Sequence, residues 1–393
     1  MTSYPLATTS WDERELEAIR AVMASGHFTM GERVREFESA FAAFVGSRYA
    51  VMSNSGSSAN LLMVAAACHR ADSPLRPGDE VIVPAVSWGT TYYPVAQYGL
   101  RLRFVDVDLR TLNLDVAQAA AAVTPRTRAV LAVNLLGAPN QFDQLESLCA
   151  DNGLLLLEDN CEALGASFAG RQTGTFGAMG TFSFFFSHHM STMEGGMSVT
   201  DDRELAELMT SLRAHGWTRE LGDDNLVHPK VGNDFDDLFR FVLPGYNLRP
   251  LEMEAAIGLV QLDKLPSMLA ERRANATRFL ALFRGRDDVI IQEPPGDSSW
   301  FGFSFVLSGP LEGRRAQVAA ALAAADVECR PIVAGDFTKN PVIKLMPHDI
   351  AGELPNAGRI DRDGLFVGNH HYPLDEELQL LARVLDDVSA GAA

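Results

Sequence analysis

Two adjacent imidazoles, His188 and His189, sit in the stretch TFSFFFSHHMSTMEGG between Thr181 and Gly196, ahead of a glycine pair. A histidine takes up and returns protons near neutral pH, but it does not form the covalent link to a carbonyl that a lysine amine forms. No lysine lies nearby in the chain: the first is Lys230, and only Lys264, Lys339 and Lys344 follow. The histidines adjoin, so they should not both face one site. For either, the competing reading is an ordinary surface or core imidazole.

Other residues suggest what such a base would act beside. The turn NSGSSAN, Asn54 to Asn60, follows an apolar run and opens a helix-like one. Its amides and hydroxyls are placed to cradle a phosphate at the positive end of a helix, although such turns also serve as plain N-caps. Asp159 ends the apolar run LLLLED, at the strand edge where α/β sheets bind ligands. A carboxylate there can hold a pyridinium nitrogen protonated, which makes a ring an electron sink; the alternative is a helix cap. Trp88 follows EVIVPA and can stack on a flat ring or simply fill a core. Ser183 precedes the histidine loop and is within reach of a phosphate, and Gly195-Gly196 permits a tight turn.

These residues need elements to bring them together. From Arg48 to about Thr200 the apolar runs YAVMS, EVIVPA, RLRFVDV, AVLAVNLL, LLLLED, MGTFSF and GGMSVT alternate with helix-length amphipathic stretches. That alternation predicts an α/β domain with a mostly parallel sheet. Asp202 caps a helix that leaves the sheet. Residues 217 to 246 are polar, Asp-rich and irregular, the composition of a long functional loop. The following segment to LALF reads as one or two helices interrupted near Pro266. A smaller domain then holds SWFGFSFVL as a strand, RAQVAAALAAADV as a helix and a terminal helix from Glu376. The expected division is a large cofactor-binding domain over 1–250 and, over 251–393, linker helices with a small C-terminal α+β domain.

Composition sets limits. With 393 residues, 47% of them hydrophobic, the chain can build two cores. A formal charge of −18 argues against a broad nucleic-acid or acidic-membrane surface, so an anionic ligand must be met locally. Only four of the 33 basic residues are lysines, and arginine's planar fork suits phosphate. There is no apolar run of about 18 residues and no basic-then-apolar start, which points to a cytoplasmic protein outside the membrane. Cys68, Cys149, Cys161 and Cys329 lack metal-ligand spacing, so no metal site is expected.

Longer stretches carry a resemblance. EDNCEALG, GTFGAMGTFSFF, the histidine loop, MEGG and GYNLRPLEMEAAIGLVQL together resemble the DegT/DnrJ/EryC1/StrS sugar aminotransferase family of fold-type I pyridoxal-phosphate enzymes, with histidine in place of the anchoring lysine. PAVSWGTTYYPVAQYGLR, RAHGWTR, SSWFGFSF, VECRPIV and GLFVGNH are similar to a sugar 3-dehydratase branch of that group. The resemblance implies an aspartate aminotransferase-like fold, with Asp159 as pyridinium partner and Trp88 as stacking residue. It implies Ser57, Ser58 and Ser183 as phosphate contacts and His188 in the lysine's position. Asn247 would reach the cofactor of a neighbouring subunit, giving a homodimer with shared active sites. His215 and Arg219 are sugar or nucleotide contacts by the same resemblance, and for His215 a helix-end role is the alternative.

The implied activity is C3 deoxygenation of a GDP-linked 4-keto-6-deoxymannose. Pyridoxamine phosphate is then the working form, held non-covalently, and glutamate restores it. Competing readings are a 4-keto-sugar aminotransferase, a 3-dehydratase acting on another nucleotide sugar, and a non-catalytic sugar-nucleotide binding protein. A CDP-sugar enzyme would need an iron-sulfur cluster and a reductase partner, which the dispersed cysteines argue against.

Overall fold

The seven apolar runs become seven strands. In the computed structural model, which describes residues 3–391, these are β1 (Tyr49–Ser53), β2 (Glu80–Pro84), β3 (Arg101–Val105), β4 (Thr127–Val133), β5 (Leu155–Asp159), β6 (Met179–Ser183) and β7 (Gly196–Thr200). Helices α1 (Glu13–Ser25) and α2 (Glu32–Val45) precede them. α3 (Gly56–His69), α4 (Gly89–Gln97) and α5 (Phe142–Asn152) lie between strands, and α6 (Arg203–Arg213) leaves the sheet from its Asp202 cap. All five residues of β2 are buried, as expected where helices coat both faces of a parallel sheet.

Beyond residue 250 come α7 (Glu252–Phe283), β8 (Val289–Ile291), β9 (Gly302–Leu307), α8 (Arg315–Ala324), β10 (Cys329–Arg330), β11 (His348–Ile350), β12 (Gly364–Gly368) and α9 (Asp375–Ala390). The large sheet has eight strands in the order β1-β7-β6-β5-β4-β2-β3-β11. Only the pairings that involve β7 are antiparallel. A four-stranded antiparallel sheet, β8-β9-β12-β10, carries its own core of Phe279, Phe283, Phe303, Phe305 and the helix residues Leu378 and Leu381. The two halves interleave. β11 joins the edge of the large sheet at β3, and Tyr4 buries in the small core with its hydroxyl 2.5 Å from the Gly368 carbonyl.

One expectation needs correction. α7 runs unbroken for 32 residues with Pro266 inside it. An internal proline costs about 3 kcal/mol, but the flanking turns bury Leu265, Met268 and Leu269 against Phe37, Phe41 and Phe182, and that packing outweighs the loss. α2 lies close along α7 because Gly258 leaves room for the Phe37 ring. Glu252, the first residue of α7, accepts hydrogen bonds from the amides of Gly31, Arg33 and Val34 and so caps α2. Among the described residues no helix is long and apolar enough to cross a membrane.

Candidate active site

The carboxyl ends of β5 and β6, the start of α3 and the loop before α4 converge on a cavity of about 570 Å³, within the usual size range for a small-molecule site. α3 opens on Ser55, whose Oγ accepts the Ser58 amide at 3.1 Å. The first-turn amides of a helix lack helical partners and present positive charge. Gly56 lets them come close to β6, since a Cβ there would lie 2.5 Å from the Ser183 Cβ and 3.0 Å from the Cys161 sulfur. Gly196 is glycine for the same kind of reason: a Cβ would collide with the Ser55 carbonyl. The result is a cradle lined by Ser55, Gly56, Ser57 and Ser183.

Asp159 ends β5 at the cavity floor. One carboxylate oxygen accepts from Asn60 Nδ2 at 2.8 Å and Thr91 Oγ1 at 2.7 Å, and the other from the Cys161 amide at 3.2 Å. These bonds fix the carboxylate's direction. Trp88 is 61% exposed at the N-cap of α4, so it offers an uncovered ring face to the cavity and does not fill a core.

The adjacent histidines point to different surroundings. His189 is buried, with Nε2 3.1 Å from the Ser299 carbonyl. His188 is half-buried on the cavity wall, held edge-on by the Phe301 ring at 5.1 Å. Its Nδ1 is enclosed and has no hydrogen-bond partner, leaving Nε2 as the nitrogen that meets the cavity. Burial, and after it the charge of Arg272, lowers its pKa to about 4, so the imidazole is neutral and able to accept a proton.

Ser57, Trp88, Asp159, Ser183 and His188 therefore share one wall, whereas four other expected residues lie off it. Ser58 serves the cap: its hydroxyl donates to Asn54 Oδ1 at 2.6 Å. His215, Arg219 and Asn247 gather elsewhere. Ala214 bridges Asn247, the His215 amide donates to the Tyr246 carbonyl, and both His215 and Arg219 lie against Trp217. Sequence reasoning missed two wall residues. Glu162 receives the Leu136 amide at 3.0 Å, and burial, with the Asp159 charge, pushes its pKa up to about 7. Exposed Arg330, on β10, is the arginine on the wall. Glu162 stands three residues after Asp159 in EDNCE, the one clue the sequence held.

The wall fits a pyridoxal-type cofactor: an amide cradle for its phosphate, an open indole face for its ring and a fixed carboxylate for its ring nitrogen. Among the described residues no lysine lines the cavity. Lys264 is bound to Asp12 and Glu15, Lys339 to Asp361, and Lys230 pairs with Asp223.

Fold and site together define a pyridoxal-phosphate enzyme of aminotransferase architecture that lacks the covalent anchor. The chain belongs to the DegT/DnrJ/EryC1/StrS aminotransferase family, whose profile matches residues 9–386. It is 51% identical over 387 residues to the GDP-4-keto-6-deoxy-D-mannose 3-dehydratase of Yersinia pseudotuberculosis, covering 98% of each chain. Among solved structures it is similar to a histidine-to-asparagine mutant of GDP-4-keto-6-deoxymannose-3-dehydratase with bound GDP-perosamine, at 50% identity and a TM-score of 0.95 over 97% of this chain and 100% of that one. The same enzyme with a trapped PLP-glutamate geminal diamine matches at 50% identity, again with a TM-score of 0.95 over 97% of this chain and 100% of that one.

Proposed function

We propose that this protein is a GDP-4-keto-6-deoxy-D-mannose 3-dehydratase that works with pyridoxamine phosphate and is returned to that form by glutamate. The observation that carries the reading is a cavity with every fixture for the cofactor except a lysine, and with a neutral imidazole on its wall. The relatives at about half identity act on this sugar nucleotide by name, and one holds the cofactor joined to glutamate.

When bound, the cofactor supplies an amine for the sugar's C4 ketone and a ring that accepts an electron pair. The protein does the rest. Ser57, Ser183 and the α3 amides would hold the phosphate, Trp88 would cover one ring face, and Asp159 would keep the ring nitrogen protonated. With the cofactor and sugar in place, His188 Nε2 would be the group that accepts the proton from the amine-bearing carbon and gives one to the departing C3 hydroxyl. A lysine would return the proton to the sugar and complete transamination, so its absence favours elimination.

His215, Arg219 and Asn247 lie off their own chain's cavity, and this supports a homodimer in which they complete the neighbour's site. The same segment exposes Phe235, Phe239 and Phe241, apolar surface of the kind a partner covers. We assign the protein to the cytoplasm, where nucleotide sugars are processed.

The test is product mass. Purified protein with pyridoxamine phosphate, glutamate and GDP-4-keto-6-deoxy-D-mannose should give a nucleotide sugar lighter by one oxygen, with ammonia and 2-oxoglutarate. An amino sugar would make the protein an aminotransferase and remove His188 from its assigned role.

A further inference from the structure

Among the described residues, buried lysines and arginines are matched by carboxylates, with one exception beside the catalytic loop. Arg213 pairs with Glu38 at 2.6 Å and Glu220 at 3.4 Å, and Lys264 pairs with Glu15 at 2.7 Å and Asp12 at 2.9 Å. Arg272, on α7 and only 6% exposed, has no carboxylate partner among the described residues. Its guanidinium donates to the carbonyls of Asn369 at 2.7 Å, Phe301 at 3.3 Å and Trp300 at 3.5 Å, and its Nε has no partner. Carbonyl dipoles solvate a charge without neutralising it, so its field persists through the low-dielectric surroundings. An uncompensated buried charge is expensive, and a neutral amide would bind carbonyls at less cost. Its position gives it a use.

The peptide that Arg272 holds belongs to Phe301, whose ring packs on both His188 and His189. Arg272 thus fixes the wall behind the imidazole and sets a positive charge behind that wall. We propose that Arg272 is a positioning residue that keeps His188 unprotonated, and so available as a base, while anionic ligands fill the cavity. The inference rests on the function proposed above. A cofactor phosphate and a nucleotide diphosphate bring several negative charges, each of which favours the imidazolium. The cavity's acids act in the same direction: Asp159, Glu162 and Glu194 all line it. Arg330 faces it from β10, His189 adjoins His188, and Arg273 lies on the His189 side. Of these, Arg272 is the buried charge that opposes protonation of His188, second only to burial itself.

The experiment is an NMR titration of ring-labelled histidines in the full-length, cofactor-free protein, with His188 assigned from a His188→Asn control. The wild-type His188 midpoint is expected at about 4. Arg272→Gln, which keeps an N–H donor for the carbonyls and removes the charge, should raise it by about one pH unit. Arg272→Lys, which keeps the charge, should leave it near the wild-type value. Arg272→Met, which removes the charge and keeps the length of the side chain, should also raise it and serves if Arg272→Gln does not fold. A wild-type midpoint near 6.5, or neutralising variants that fold and leave the midpoint unmoved, would overturn the proposal. Because the titration needs neither cofactor nor turnover, failure of the dehydratase assay would count against the proposed function alone.

Discussion

A single imidazole that is to take a proton from carbon needs one nitrogen open to the reactants and a surrounding that keeps it unprotonated. His188 meets both conditions through Phe301, Arg272 and an enclosed Nδ1. Glu162 is its electrostatic opposite on the same wall. Burial and Asp159 raise its pKa from 4.5 to about 7, so the folded protein holds a proton there that the unfolded chain releases. A raised carboxyl pKa means that stability is complete below pH 4.5 and is lost as pH rises to about 7, by at most roughly 3 kcal/mol. Glu162→Gln removes this loss. Urea unfolding of the cofactor-free protein should therefore show the variant gaining on wild type as pH rises through that window. A pH-independent difference would mean that Glu162 does not carry the proton. Neither Glu162 nor Arg330 was legible in the sequence, because what marks them is position on a wall built from distant segments. Asp159 could be read from its place at the end of an apolar run and His188 from its place in the loop ahead of a glycine pair, in an order that the family resemblance could fix.

The elements of the large sheet could be read because strand-length apolar runs alternated with helical spacing, a pattern imposed by burial on both faces. What could not be read depended on tertiary contact. α7 passes through Pro266 because Phe37 and Phe41 pack beside it, and β11 becomes a strand only by pairing with β3. The contact that matters most for the site is also invisible locally: α3 meets β6 at Gly56 with no space for a methyl group. Gly56→Ala should therefore drive the helix start away from Ser183, at a cost of about 1–3 kcal/mol from overpacking. Pyridoxamine phosphate binding should weaken at least about tenfold, since the cradle is made of those displaced amides. Fluorescence titration measures the affinity, and unchanged binding would show that the phosphate does not sit at the start of α3.

At the scale of the whole molecule, the residues expected at the site fall into two groups that one chain does not bring together: the wall with His188, and the segment with His215, Arg219 and Asn247. If the second group completes the site of a neighbour, a substitution in each group damages a different site of a hybrid dimer. Mixing His188→Asn chains with Asn247→Ala chains, each of low activity alone, then creates hybrids with one doubly altered site and one intact site. After random exchange, half the dimers are hybrids, so activity should recover to about a quarter of wild type. Mass measurement should give about twice the 42.7 kDa of the chain. Subunit exchange without recovery would place Asn247 at its own chain's site or outside any site. The geometry favours recovery, because the Asn247 side chain is held toward Arg249 at 2.9 Å on a segment bridged to the end of α6, while Phe235, Phe239 and Phe241 on the preceding loop remain exposed for a partner to cover.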